Sequence, residues 1–143
     1  MFILLNESLE TLGRDENGMT IHDKLNYLMN GMNSNWKTTL LWTGNISSAY
    51  GGGTITLDLS EYNNILIYSS HLQNQEPSYG SLIPVDGINH YCGASQPDGV
   101  RCSTRKITVN SNGVTFATQG CSDNTYHAQY CIPVYIYGVN ISN

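Results

Sequence analysis

From Trp36 onward, Gly, Asn and Pro punctuate the sequence so closely that no segment has room for a helix of ordinary length. Strand material fills the intervals. Thr38 to Thr43 ends at Gly44, and after the Gly51-Gly52-Gly53 turn the run Thr54-Ile55-Thr56-Leu57-Asp58-Leu59 alternates with period two. Ile65 to Ser70 is apolar on both parities, which predicts a central strand. Ser81 to Val85 is shorter and carries Pro84, while Thr104 to Asn110 and Gly113 to Gln119 join through Asn112-Gly113, a hairpin signal. About seven short strands separated by turns predict a mainly β domain, an antiparallel β-sandwich of jelly-roll type.

The most strand-like run comes last, Gln129 to Gly138. Simple alternation puts Ile132, Val134 and Ile136 on one face, and Cys131, Tyr135 and Tyr137 on the other. Apolar side chains on both faces imply cover on both sides, or tyrosines used at an interface. Pro133 lacks a ladder donor and predicts an edge position or a bulge.

Before the β region, residues 1–35 read as an N-terminal arm, a polar linker through Gly13 to Gly18, and one helix from Thr20 to about Met32. Thr20 is the expected N-cap, with Asp23 three residues on in a variant capping box. Ile21, Leu25, Leu28 and Met32 follow the four-three-four rhythm of a coiled-coil seam. So short a helix needs a partner, either the sheet of its own domain or copies of itself. The expected division is therefore arm and helix over 1–35, and a β head over 36–143.

Only 12% of residues are charged, about half the usual share, so the surface must rely on Asn, Ser, Thr, Gly and Tyr. Such surfaces suit oligomers, fibrous assemblies and sugar-binding modules. A net charge of −5 with six Lys and Arg excludes strong nucleic-acid binding. No apolar run reaches spanning length, so no membrane insertion is expected. Phe2-Ile3-Leu4-Leu5 is too short for a signal-peptide core, which sets aside secretion by the usual route. Without that route, free thiols are the default for Cys92, Cys102, Cys121 and Cys131. Cys131 reads as a small core hydrophobe, and Cys92 with Cys102 as the pair to bridge if any does. The cysteine spacings match no compact metal site, and no cofactor is expected.

Two polar stretches hold the candidate binding residues. Residues 86–103, with Tyr79 just before, carry His90, Tyr91, Asp98 and Arg101; Gly120 to Ala128 carries Asp123, Asn124, Tyr126 and His127. Aromatic faces that stack on sugar C–H groups, beside polar groups that pair with hydroxyls, are what saccharide recognition requires. Catalysis is not expected. There is no G-x-S-x-G elbow, H-E-x-x-H or phosphate loop; His71 reads as a turn residue at a strand end, and Asp58 and Glu61 as turn carboxylates. Trp42 belongs to the core or an interface.

In order, Trp42-Thr43-Gly44, the Thr-Ile-Thr-Leu-Asp-Leu strand, Tyr62 to Tyr68, Arg105-Lys106-Ile107-Thr108-Val109 and Tyr130-Cys131-Ile132-Pro133-Val134-Tyr135-Ile136-Tyr137-Gly138 make a familiar succession. It resembles the C-terminal receptor-binding head domains of bacteriophage and prophage tail-fibre or baseplate proteins, across about residues 36–140. The resemblance implies a non-enzymatic, homotrimeric module of the virion tail that is made in the bacterial cytoplasm. Its partners would be host cell-surface saccharide or protein receptors and other tail or baseplate proteins. In that setting Ile21, Leu25, Leu28, Met32, Tyr135 and Tyr137 would make subunit contacts. A structural tip without receptor binding, and a cellular carbohydrate-binding module, are the competing expectations.

Overall fold

A computed structural model describes residues 18–21, 23–25, 36–78 and 80–141, apart from the side chains of Trp36 and Ile141. The chain divides into two units, the larger being Lys37–Ile141. In the smaller unit residues 21 and 23–25 belong to the start of a helix. There Asp23 accepts from the Thr20 amide at 3.0 Å, and Thr20 Oγ1 accepts from the Asp23 amide at 3.1 Å, so the expected capping box is closed in both directions. Ile21 and Leu25 stand 43% and 44% exposed, while Leu28 and Met32 lie outside the described residues.

The larger unit is built of ten strands: β1 (Trp36–Thr43), β2 (Gly53–Thr56), β3 (Asn64–Leu72), β4 (Gly80–Pro84), β5 (Asn89–Ser95), β6 (Cys102–Asn110), β7 (Gly113–Phe116), β8 (Gly120–Ser122), β9 (Thr125–His127) and β10 (Tyr130–Ile141). A first sheet has the order β1-β10-β3-β4; a second runs β2-β7-β6-β8-β9, with β5 also paired to β6. Pairings such as β10 with β3 and β5 with β6 are antiparallel. Strand β6 shows how the pattern works: Ser103, Arg105, Ile107 and Val109 face inward, while Cys102, Thr104 and Lys106 face out. Ile65, Ile67, Ile83 and Ile136 of the first sheet meet Ala94, Ile107, Val109, Val114 and Phe116 of the second in one core. Each of the Ile, Val and Phe side chains among these contributes about 1.5–3 kcal/mol by leaving water.

Several expectations change. Ten strands replace seven because low-propensity runs pair anyway: Asn89-His90-Tyr91-Cys92-Gly93-Ala94-Ser95 is strand β5, not loop. The second polar stretch is the β8–β9 hairpin, closed on Asp123 and Asn124 at φ 49° and 61°, left-handed values that suit a two-residue primed turn. Strand β10 lies inside its sheet rather than at an edge. Pro133 is accommodated by a bulge, seen as the register shift between Pro133 and Tyr135. That bulge, after Cys131 at φ 49°, resets the alternation: Cys131 and Ile136 both reach the core, and Tyr135 and Tyr137 are half-buried on the outer face. His71 is no turn residue; it is a buried member of β3.

The largest fully buried side chain among the described residues is a charged one, Arg105. It is 1% exposed, and among the described residues it makes no ion pair with a carboxylate. Its Nε donates to the Cys131 carbonyl at 2.9 Å; Nη1 donates to Tyr50 and Ala117 at 3.0 and 2.7 Å; Nη2 donates to Ala128 and Tyr130 at 3.1 and 2.7 Å. All five guanidinium donors are thus used on carbonyls of three connections and the start of β10. Loss of hydration pushes the Arg105 pKa down, yet its ordinary value is so high that the group stays charged. The arrangement fixes the Ala117 and Ala128 segments, which flank the site described next.

Candidate functional site

Residues opposite one another in an antiparallel pair share a face. Tyr91 on β5 stands opposite Lys106 on β6, and Gly93 opposite Thr104. Thr104 in turn stands opposite Cys121 on β8, and Cys121 opposite Tyr126 on β9. A row of outward positions therefore crosses four strands, Gly93-Thr104-Cys121-Tyr126, with Tyr91 and Lys106 beside it. Glycine at 93 leaves that row low next to Thr104.

Tyr91, Thr104, Lys106, Cys121 and Tyr126 line a groove of about 310 Å³ on the outer face of the second sheet. Tyr91 and Tyr126, 64% and 66% exposed, are its aromatic members. Thr104 and Cys121 belong to the row between their strands, and the β7–β8 connection adds Ala117, Thr118 and Gln119. Hydroxyl, amide and ammonium groups thus line the same cleft as two rings, and no carboxylate lines it among the described residues. Lys106 makes no ion pair among the described residues.

Of the nine expected ligand residues, the structure brings Tyr91 and Tyr126 together, one from each polar stretch. Those of the others that lie among the described residues serve local structure. His90 Nε2 lies 2.9 and 3.0 Å from the two oxygens of Asp86. That carboxyl is held below its usual range, first by the Ile88 amide and then by His90. Asp98 accepts from the Val100 amide at 3.0 Å in a turn. Arg101 and Asp123 join the tips of the two stretches in an exposed ion pair at 3.7 Å, and Asp123 also forms the hairpin turn. His127 Nδ1 accepts from the Gln129 amide at 3.1 Å. Tyr79 lies outside the described residues. Thr104, Lys106, Thr118 and Gln119 were missed as site residues because two separate segments, β6 and the β7–β8 connection, supply them; the outward parity of Lys106 on β6 was the available signal.

A second surface lies on the outer face of the first sheet, where Thr38, Leu66, Tyr68, Tyr135 and Tyr137 line a shallow concavity of about 380 Å³. Tyr68 and Tyr137 meet edge-to-face with centroids 5.9 Å apart, and Tyr135 tilts against Tyr137 at 6.4 Å. Leu40 and Leu82 on the flanking strands are 51% and 43% exposed.

The interior holds further reactive groups. Cys92 and Cys131 are free and fully buried, with sulfurs 3.8 Å apart; it is this pair that the fold brings together, and not Cys92 with Cys102. The hydrogen bond with Cys92, and then burial, push the Cys131 thiol well above its usual range. His71 is 1% exposed, its Nδ1 has no partner among the described residues, and burial followed by the Arg101 charge pushes its pKa down. Asp58, by contrast, accepts from the Ser60 hydroxyl and amide at 2.6 and 3.1 Å, the turn role expected of it. Among the described residues no group of three or more His, Cys, Asp or Glu is placed to hold a metal ion. No helix among them is long and apolar enough to cross a membrane. No protein-family model matches the chain, and neither does any curated protein.

Proposed function

We propose that this chain is a non-enzymatic receptor-binding module of a bacteriophage tail fibre or baseplate: a jelly-roll-like β-sandwich head that recognises host cell-surface saccharide as a homotrimer. The observation that carries this reading is the convergence of Tyr91 and Tyr126, 35 residues apart in sequence, on one groove with Thr, Gln and Lys side chains. Two rings suit the C–H faces of consecutive sugar units, and planar or hydroxylic groups suit their paired hydroxyls. A groove this open binds weakly, so three copies would gain strength by avidity. Exposed Ile21 and Leu25, four apart on a capped helix, and the tyrosine face of the first sheet are the surfaces offered for trimer contacts.

That tyrosine face also favours a second reading, a structural tip subunit that assembles but binds no receptor. Light scattering coupled to size exclusion gives the mass: a trimer has three times the 15.8 kDa of one chain. A glycan array on the same sample, with Tyr91→Ala and Tyr126→Ala as controls, separates the readings. A trimer with signal that both substitutions remove supports the receptor-binding reading. A trimer silent on the array supports the structural tip, and a monomer counts against both.

A further inference from the structure

We propose that the groove on the second sheet takes an anionic saccharide, with Lys106 as the counter-charge to a carboxylate or phosphate on one sugar unit. The inference rests on the saccharide reading above and narrows it.

Three observations carry it. First, Lys106 sits in register opposite Tyr91, so its charge belongs to the same cross-strand pair as one of the two exposed rings. Second, the charge is uncompensated: the ion pairs among the described residues are His90 with Asp86 and Arg101 with Asp123, and the groove's lining contains no acid. Third, the chain as a whole carries −5, with eleven Asp and Glu against six Lys and Arg. In such a chain, an aromatic groove free of carboxylates and holding a lone cation is a local reversal of sign. An anionic polymer repelled by the rest of the surface would be drawn to this cleft. Lysine presents a compact ammonium on a flexible stem, so it suits either anion as a point charge.

A neutral sugar would leave the ammonium without a charged partner, and an apolar peptide would leave the hydroxyls and amide of the groove unused. An anionic sugar engages both sets. At this exposure the pair adds discrimination more than affinity, and salt screens it.

The test uses the full chain and three defined probes: a hexuronate oligosaccharide, a phosphodiester-linked oligosaccharide, and a neutral oligosaccharide of the same length. Titration calorimetry at low and high salt is run on the natural chain, on Lys106→Gln and on Tyr91→Ala. A thermal melt confirms that each variant is folded, and alkylation of Cys121, which lines the groove, reports occupancy independently. The expected result is tighter binding of at least one anionic probe than of the neutral one, by about 5-fold or more at low salt. High salt and Lys106→Gln should each erase the difference, Tyr91→Ala should weaken every probe, and bound probe should protect Cys121. Which anionic probe binds tells carboxylate from phosphate. Equal binding of neutral and anionic probes, or Lys106→Gln with undiminished preference, overturns the anionic assignment and leaves the saccharide reading standing. Binding of none of the probes overturns both.

Discussion

Arg105 holds Tyr50 twice: its guanidinium carbon lies 5.3 Å from the centroid of the Tyr50 ring, and its Nη1 donates to the Tyr50 carbonyl at 3.0 Å. The same side chain grips four other carbonyls, so three connections and the head of β10 depend on one residue of β6. Five oriented carbonyl dipoles take the place of a counter-ion.

Arg105→Lys should therefore be costly although it keeps the charge. An ammonium has three donors and no planar fork, so at least two carbonyls lose their partner in the interior. The expected loss is about 2–4 kcal/mol of unfolding free energy. Arg105→Met should cost at least as much. Urea denaturation measures both; a Lys variant within about 0.5 kcal/mol of the parent would show that the guanidinium geometry contributes little.

His71 supplies a pH dependence. Its folded-state pKa is lowered, so below the ordinary imidazole value of about 6.5 the unfolded chain binds a proton that the folded chain resists. The unfolded state then holds more protons, and stability falls as pH drops below about 6.5 until the folded-state pKa is passed. His71→Gln should flatten that part of the profile. Melting temperatures measured between neutral and mildly acid pH decide it: equal slopes in the parent and the variant would contradict the assignment.

Gly138 and Tyr62 are fitted face to face. A Cβ at 138 would come within 2.5 Å of the Tyr62 ring, in a strand whose partner there is Ile65. Gly138→Ala should destabilise by about 1–3 kcal/mol through overpacking. Tyr62→Ala in the same chain should cost less than the two single changes added together, because the clash goes with the ring. Strict additivity in the double-mutant cycle would mean that the two sites do not touch.

The four thiols should react in an order set by burial. Cys102 is exposed and Cys121 half-buried, whereas Cys92 and Cys131 are sealed in the core. With an uncharged alkylating reagent, mass spectrometry should find Cys102 modified first, Cys121 next, and the core pair at the rate of unfolding. Early modification of Cys92 or Cys131 would place an opening fluctuation at the seam between the sheets.

The antiparallel β class, the hairpin at Asn112-Gly113 and the Thr20–Asp23 cap were legible in the sequence because each follows from spacing over a few neighbours. A period of two, a turn dipeptide and a side chain reaching its own helix start are local facts. Strand β5 was not legible, because Asn-His-Tyr-Cys-Gly-Ala-Ser has little intrinsic preference for a strand; pairing with β6 supplies the ladder that its composition does not predict. The faces of β10 were misjudged for a related reason. A bulge between Pro133 and Tyr135 changes parity, and its position depends on registration against β3. Among the site residues, the sequence marks Tyr91 and Tyr126 by their chemistry one at a time. Only the tertiary structure put them on one groove, left Lys106 there without an acid, and diverted His90, Asp98, Asp123 and His127 to turns and local pairs. Sequence by itself determined which segments are strands wherever the period is strong. Register, through hydrogen bonds between segments far apart in the chain, decided which side chains share a face.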